Sequence, residues 1–354
     1  MNVTDPFVLQ RDLRDDDSET AALLALFREP RTLVDAVIED SRALGRDPQQ
    51  RLGELLPYFD ALIEDHVLVP YENAVDCAAA AVGWLRLGDA AQAQRSIARA
   101  YELSGDDPAW RVHAAAAIVA ADAAQRRAAL LAFVEASMRT RTDADMIFGR
   151  SGPLLAAALL FCNELRPFGA ETLRAIWAEL DAGHPREGTF LGIAHGWAGF
   201  LYASLRWCAA SGDALPPRLL ARLDELAALK LHGGDLAASW CHGSAGQLFL
   251  FTLAHRLFGD ARWLRLAERC AWTTWNEPRV AASLCCGTTG RAYALLNFYN
   301  HTGDVAWLER ARELAAHAAA NAAATPSLWR GKLGADVLAA DLASPQTARM
   351  PLFE

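Results

Sequence analysis

The sequence contains no apolar run long enough to cross a lipid bilayer. Its longest apolar stretch, residues 153–162, is well short of the roughly 20 residues that a membrane-spanning helix needs. The opening residues, MNVTDPFVLQRDLRDDDSET, also lack the apolar core of a secretory signal peptide. We therefore expect a cytoplasmic protein that carries no strong membrane signal.

Runs of basic residues are absent as well. The formal net charge is -9 at pH 7, and lysine and arginine form no cluster along the chain. Nucleic acids and anionic membranes both need a concentrated basic patch, so we expect neither as a partner. Hydrophobic residues make up 53% of the 354 residues and charged residues 22%. This composition is typical of a folded protein with a large core, and the abundance of alanine and leucine favours helices.

Cysteines are few, and their number, seven, is odd. In a chain of this length that argues against a disulfide framework and leaves packing, metal binding or catalysis as their roles. Four of them lie within helical runs and are interpreted as packing residues: Cys77, Cys162, Cys208 and Cys270. The other three, Cys241, Cys285 and Cys286, have a different setting, which a repeat in the sequence makes visible.

Five Gly-x-x-Gly elements organise the chain. Their first glycines, at positions 149, 196, 243, 287 and 331, follow one another at intervals of 47, 47, 44 and 44 residues. Each element precedes an apolar helical run, and three of these runs end in a Gly-Asp pair, at Gly212, Gly259 and Gly303. Glycine there suits a left-handed helix C-terminus, and the aspartate suits the N-cap of the next, amphipathic helix. The repeat unit is thus a loop, an apolar inner helix, a turn and an outer helix.

Counting the fainter upstream pairs gives seven inner and seven outer helices. The upstream helices are predicted at residues 50–65, 73–87, 90–103, 110–121 and 126–138. Because the inner helices are apolar almost all round, closure into an α,α-toroid is favoured over an open superhelix. We expect an all-α protein with an N-terminal helical cap at residues 1–48 and a toroid at 49–354. In a closed ring the five glycine loops meet at one rim.

Cys241, Cys285 and Cys286 lie directly before the first glycine of two consecutive repeats. Equivalent loop positions should face each other at the rim, and three thiolates are a soft ligand set that suits zinc. Three ligands leave a fourth position open, as in a catalytic zinc site. His242 is the alternative fourth ligand, which would make the site structural.

Other rim residues are candidates for proton transfer and substrate contact. His195 precedes Gly196 and is the repeat equivalent of His242 and Cys286, while Asp145 precedes Gly149 by four residues. An imidazole transfers protons near neutral pH, and a carboxylate close to it can orient the ring. Trp240 is placed in a substrate cleft, and His184 is a further candidate for the same region.

The motifs AHGWAG, WCHGSAG and LCCGTTG, in this order, resemble those of the lanthionine synthetase C-like proteins, and ARMPLFE is similar to their C-terminal tail. The resemblance implies an α,α-toroid with one zinc ion per chain at its rim. It also implies the addition of a cysteine thiol to dehydroalanine or dehydrobutyrine in a ribosomally made peptide. The product is a lanthionine or methyllanthionine thioether ring.

The resemblance assigns roles to single residues. Cys241 and Cys285 match two zinc ligands, and Cys286 matches the third, which is commonly histidine in the family. His195 matches the proposed acid/base and Asp145 a functional aspartate. Zinc would lower the pKa of the substrate thiol, His195 would protonate the enolate, and Asp145 would orient His195 or take up the thiol proton.

Two features depart from the family pattern. The all-cysteine ligand set resembles the subset of cyclase domains that use Cys-Cys-Gly, and His242 stands where tyrosine is often found. No dehydratase or kinase region and no inserted peptide-binding subdomain are evident in the sequence. The expected partners are therefore a dehydrated precursor peptide and a separate dehydratase or kinase/lyase.

Three other readings compete with the cyclase. In the first, glutathione is the thiol added to a dehydroamino-acid peptide or protein. In the second, the protein is a helical binding scaffold whose structural zinc has four filled ligand positions. The third, a glycoside-processing toroid, is disfavoured because such rings use paired carboxylates, whereas this rim carries thiols and imidazoles.

Overall fold

The computed structural model describes residues 7–9, 26–27, 33–51, 54–55, 68–70, 73–140, 142–182, 191–229, 237–279 and 281–354. Fourteen α-helices lie wholly within these ranges: α1 (Leu33–Leu44), α2 (Ala74–Arg86), α3 (Ala90–Ser104), α4 (Trp110–Val119), α5 (Ala123–Ser137), α6 (Ser151–Leu159), α7 (Arg166–Ala182), α8 (Trp197–Ser211), α9 (Leu219–Ala228), α10 (Ser244–Phe258), α11 (Ala261–Asn276), α12 (Thr288–Thr302), α13 (Val305–Asn321) and α14 (Lys332–Asp341). A 3-10 turn, Asn163–Leu165, precedes α7.

The even-numbered helices from α2 to α14 form an inner ring. Each contacts the next along the ring, and α14 contacts α2, so the ring is closed. The odd-numbered helices from α3 to α13 lie outside, each packed on the inner helix that precedes it. The predicted α,α-toroid is confirmed. The outer helix predicted at residues 50–65 falls mostly outside the described residues.

The inner helices are buried on both sides, as their composition predicts. In α10 every residue from Ser244 to Ala254 is buried. Their C-terminal glycines are left-handed, with φ of 74°, 69° and 74° at Gly212, Gly259 and Gly303, a conformation that costs glycine little. Asp260 and Asp304 cap the next outer helix as expected.

Asp213 differs from the other two aspartates. Its carboxylate accepts a hydrogen bond from the indole of Trp207 (2.9 Å) and pairs with Arg166. The outer helix α9 begins only at Leu219, after a Pro-Pro sequence at residues 216–217. Because proline removes a backbone donor and restricts the residue before it, the helix cannot begin directly after Asp213.

The second glycine of each Gly-x-x-Gly element allows its loop to fold back onto the start of the inner helix. A Cβ atom there would lie closer than 3.0 Å to the backbone carbonyl oxygen of the residue six positions earlier. The five pairs are Gly152 with Met146, Gly199 with Ile193, Gly246 with Trp240, Gly290 with Leu284, and Gly334 with Leu328. The repeat in the sequence therefore encodes one backbone fold at the rim, used five times.

The N-terminal part contributes α1 and a short strand. Strand β1 (Phe7–Leu9) pairs in antiparallel fashion with β2 (Leu68–Pro70), a departure from all-helical structure that the sequence did not predict. This ladder crosses the expected boundary between residues 48 and 49, and the division into cap and toroid stays a prediction. None of the helices among the described residues has the length and apolar character needed to cross a membrane.

Candidate metal centre

Three thiols meet at the rim, in the loops that precede α10 and α12. The Sγ atom of Cys286 lies 3.3 Å from that of Cys241 and 3.6 Å from that of Cys285. All three sulfur atoms lie within 4.8 Å of one another. A tetrahedral zinc ion with zinc–sulfur bonds of about 2.3 Å needs sulfur atoms about 3.8 Å apart. This set, which we call the thiol cluster, therefore fits zinc.

A serine turn shapes each of the loops that carry the thiol cluster. The hydroxyl oxygen of Ser239 accepts a hydrogen bond from the backbone N–H of His242, and that of Ser283 from the N–H of Cys286, both at 3.2 Å. Such a side-chain bond to the nearby backbone stabilises a tight turn. The two loops therefore present their cysteines in the same way, although they lie 44 residues apart.

Backbone hydrogen bonds link neighbouring loops around the rim. The N–H of Ala194 donates to the carbonyl of Cys241 at 2.9 Å, and the N–H of Leu284 donates to the carbonyl of Trp329, also at 2.9 Å. A Cβ atom on Gly192 would collide with the same Cys241 carbonyl. The loop that carries His195 is therefore held directly against the loop of the first cluster thiol.

Hydrogen bonds within the thiol cluster separate the acidities of its members. Hydrogen bonds shared with the thiols of Cys285 and Cys286 hold the pKa of Cys241 well below its ordinary value, with a further contribution from His242. Hydrogen bonds with Cys241 and Cys286 raise the pKa of the Cys285 thiol well above its ordinary value. One thiolate is thus already favoured. In contrast, burial raises the pKa of Cys270 to about 12.

His195 and Asp145 form a hydrogen-bonded pair beside the thiol cluster. The His195 Nδ1 atom lies 3.0 Å from the Asp145 Oδ2 atom. Burial would raise the pKa of Asp145, but hydrogen bonds from His195 and from the N–H groups of Phe148 and Ile147 hold it below its ordinary value. Because an ionised carboxylate only accepts hydrogen bonds, Nδ1 carries the hydrogen in this pair. A proton passed from this ring to a substrate would therefore come from Nε2.

The remaining predicted site residues are His242, Trp240 and His184. The ring of His242 lies 5.6 Å from that of His195, centroid to centroid, and its nitrogen atoms do not belong to the thiol cluster. Trp240 is only 4% exposed, and its ring packs against Trp329 and Phe353 at 5.3 and 5.2 Å. His184 lies outside the described residues.

Three residues that the sequence analysis did not select also lie near this site. Phe148 is 52% exposed and stacks on the imidazole of His195 at 5.4 Å. Arg111 donates to the carbonyl of Ile147, next to Phe148, and Arg330 pairs with Asp76. Phe148 and Arg330 directly precede Gly149 and Gly331, the position that His195 occupies before Gly196. The repeat therefore carried a signal for both, whereas nothing in the sequence marked Arg111.

The closed double ring and the cysteine-rich rim define an α,α-toroid with a candidate metal centre. Among solved structures, nisin cyclase is similar, with a TM-score of 0.53 over 97% of this chain and 90% of that chain. The sequence identity is 11%, so this likeness concerns the fold.

The family model of the lanthionine synthetase C-like protein matches residues 108–335. Because the match spans more than half of the chain, the protein belongs to this family. Membership supports a lanthionine cyclase-type function.

Proposed function

We propose that the protein is a zinc-dependent cyclase that forms lanthionine or methyllanthionine rings in a dehydrated, ribosomally made peptide. The observation that carries the proposal is the arrangement of the rim. The thiol cluster has the spacing of a zinc site, and the loop of the His195–Asp145 pair is bonded to the loop of Cys241. This arrangement supports a Lewis-acid site with a proton donor beside it.

Cys241, Cys285 and Cys286 would hold one zinc ion per chain. When bound, zinc supplies the positive charge that lowers the pKa of a substrate thiol, so that the sulfur is present as a thiolate near neutral pH. Three protein ligands leave the fourth position to the substrate. The depressed pKa of Cys241 favours the deprotonated state that metal binding requires.

His195 would move the proton. The sulfur attacks the β-carbon of the dehydro residue, a new carbon–sulfur bond forms, and the π electrons of the double bond pass to an enolate. His195, as imidazolium, would give its Nε2 proton to the α-carbon, and the proton lost by the thiol would return to Nε2, so that no net proton is gained or lost. Asp145 would hold the ring in position through Nδ1. No atoms are gained or lost, so the peptide mass is unchanged.

A dehydrated test peptide that contains one cysteine tests the proposal. The zinc-loaded protein should abolish alkylation of the cysteine without changing the peptide mass, and Cys285→Ala should not. Adding glutathione distinguishes the competing enzyme activity, because glutathione addition raises the mass of the peptide. Alkylation that stays complete at every protein concentration would contradict the cyclase.

The structural-zinc alternative has one observation in its favour, the proximity of His242 to Cys241, whose pKa it helps to lower. In that case His242 would fill the fourth position and no substrate thiol would bind. We favour the open site because the described donors that cluster together are three thiols, without an imidazole.

The proposed reaction implies partners and a compartment. A dehydrated precursor peptide is the substrate, and a separate dehydratase or kinase/lyase must first form the dehydro residues from serine or threonine. None of the seven cysteines forms a disulfide, which suits the reducing cytoplasm. We therefore propose a cytoplasmic enzyme.

A further inference from the structure

The inner ring contains a cavity of about 340 Å³ next to the thiol cluster. Cys285 forms part of its wall, so the cavity adjoins the cluster directly. Most of the remaining wall is apolar and comes from α2, α4 and α6, with Ala114 and Ala156 among its residues. The rings of Trp240 and Phe353, which pack against each other, complete it. Its volume lies within the range of binding pockets for small organic groups.

Charged groups gather at the rim end of this cavity. Asp76 and Arg330 line it and form an ion pair with each other. Arg111 lines it too and donates one hydrogen bond to the carbonyl of Ile147. Burial lowers the pKa of each arginine to about 10, so both remain charged at neutral pH. A guanidinium has five N–H donors, and Arg111 therefore keeps donors for a ligand.

We propose that this cavity binds a large apolar side chain of the peptide substrate, at the residue adjacent to the cysteine that reacts. The proposal rests on the proposed cyclase function and adds a substrate class to it. Consecutive Cα atoms in a peptide are 3.8 Å apart. Because Cys285 belongs both to the thiol cluster and to the cavity wall, the side chain next to a cluster-bound cysteine can enter the cavity.

The chemistry of the wall selects the occupant. A leucine, isoleucine, phenylalanine or tryptophan side chain would exchange water for apolar contacts, whereas a charged side chain would lose its hydration. Arg111 can donate to the backbone carbonyls of the same peptide as it passes the rim. Glutathione has charged carboxylates and no large apolar side chain, so it would leave the apolar part of the cavity empty.

Binding of two unreactive peptides tests the proposal independently of catalysis. The probes are acetyl-Gly-Phe-Cys-Phe-Gly-amide and acetyl-Gly-Ala-Cys-Ala-Gly-amide, which keep the cysteine but carry no dehydro residue and therefore cannot react. Calorimetric titration of the zinc-loaded protein should show about 10- to 100-fold tighter binding of the phenylalanine peptide, the factor expected for burying one large apolar side chain. Ala156→Leu fills the cavity from α6 and should reduce the difference below about threefold.

Two further variants complete the test. Ala114→Leu fills the cavity from α4 and replaces Ala156→Leu if that protein does not fold. The matched control is Ala175→Leu, which adds the same side chain to a separate pocket of about 140 Å³ lined by Pro153 and Phe168, and it should keep the full preference. A wild-type preference below about threefold, or a full preference in both cavity-filled variants, would overturn the proposal.

A second assay separates this inference from the proposed function. Two longer peptides, in which a dehydroalanine lies several residues from a Phe-Cys-Phe or an Ala-Cys-Ala sequence, are compared by kcat/KM for ring formation. Ring formation without a preference for phenylalanine leaves the cyclase intact and removes the cavity as a substrate site. A binding preference without ring formation from either peptide keeps the apolar site and contradicts the cyclase.

Discussion

Replacing Gly246 with alanine tests whether the fold of the rim loops positions the thiol cluster. The added Cβ would lie closer than 3.0 Å to the carbonyl oxygen of Trp240. Trp240 directly precedes Cys241 in the chain. A backbone oxygen cannot turn aside like the end of a flexible side chain. The loop must therefore move by several tenths of an ångström, more than the roughly 0.2 Å that metal–ligand distances tolerate.

The magnitude follows from two separate costs. Forcing an extra carbon into a close-packed site costs about 1–3 kcal/mol of unfolding free energy. Loss of the support that orients a metal ligand lowers metal affinity by about 10- to 100-fold. We therefore expect Gly246→Ala to lose both stability and zinc affinity, and Gly290→Ala to do the same through the carbonyl of Leu284, the residue before Cys285.

Gly152→Ala is the matched control. Its added Cβ would meet the carbonyl of Met146 in the same way, but this loop holds no cysteine. Denaturant unfolding should show similar destabilisation of the two variants, and competition with a chromophoric chelator should show weakened zinc binding in Gly246→Ala alone. Wild-type zinc affinity in a folded Gly246→Ala protein, or an equal loss in both variants, would refute the reasoning.

Four further predictions concern the site itself. Alanine at any position of the thiol cluster should abolish stoichiometric zinc, whereas Cys270→Ala should retain it, as metal analysis can show. Added thiol should shift the charge-transfer bands of the cobalt-substituted protein; an unchanged spectrum together with metal loss in His242→Ala would support a structural zinc. His195→Asn should keep zinc and slow ring formation by roughly 10²–10⁴-fold, and near-normal single-turnover rates would contradict its role. Asp145→Ser should slow the reaction too. The pKa of Asp145 in the folded protein lies below its ordinary value of 3.8. The ionised carboxylate therefore stabilises the folded wild type above pH 3.8, and this stabilisation is lost as the pH falls through the folded-state pKa. Acid unfolding of Asp145→Ser should lack this loss of stability.

The closed ring and the thiol cluster could be predicted because both depend on the repeat. Residues at the same position in successive units occupy the same height on the ring, so Cys241 and Cys285 were expected to meet. The same logic applied to every residue before a first glycine indicates Phe148 and Arg330 as rim residues. Phenylalanine and arginine rarely hold metal ions or transfer protons in proteins, so the residue type gave no reason to single out these two positions.

Features that depend on contacts outside the repeat could not be predicted. The apolar cavity joins walls from α2, α4 and α6 to the loops before α10 and α12, and no spacing in the sequence reports distances across the ring. The ladder between β1 and β2 joins segments about sixty residues apart. The carboxylate of Asp213 accepts a hydrogen bond from Trp207 and does not cap a helix, and this contact has no counterpart in the repeat.

Asp145 shows how a repeated turn can acquire a chemical role. It precedes its glycine by four residues, the position that serine holds at 239, 283 and 327. Each serine uses its single oxygen to accept the N–H three residues later, and Asp145 does the same for Phe148 with Oδ1 (2.8 Å). A carboxylate has a second oxygen, and Oδ2 is the atom that reaches His195. The change from serine to aspartate therefore keeps the turn and adds a partner that fixes the imidazole from the neighbouring loop.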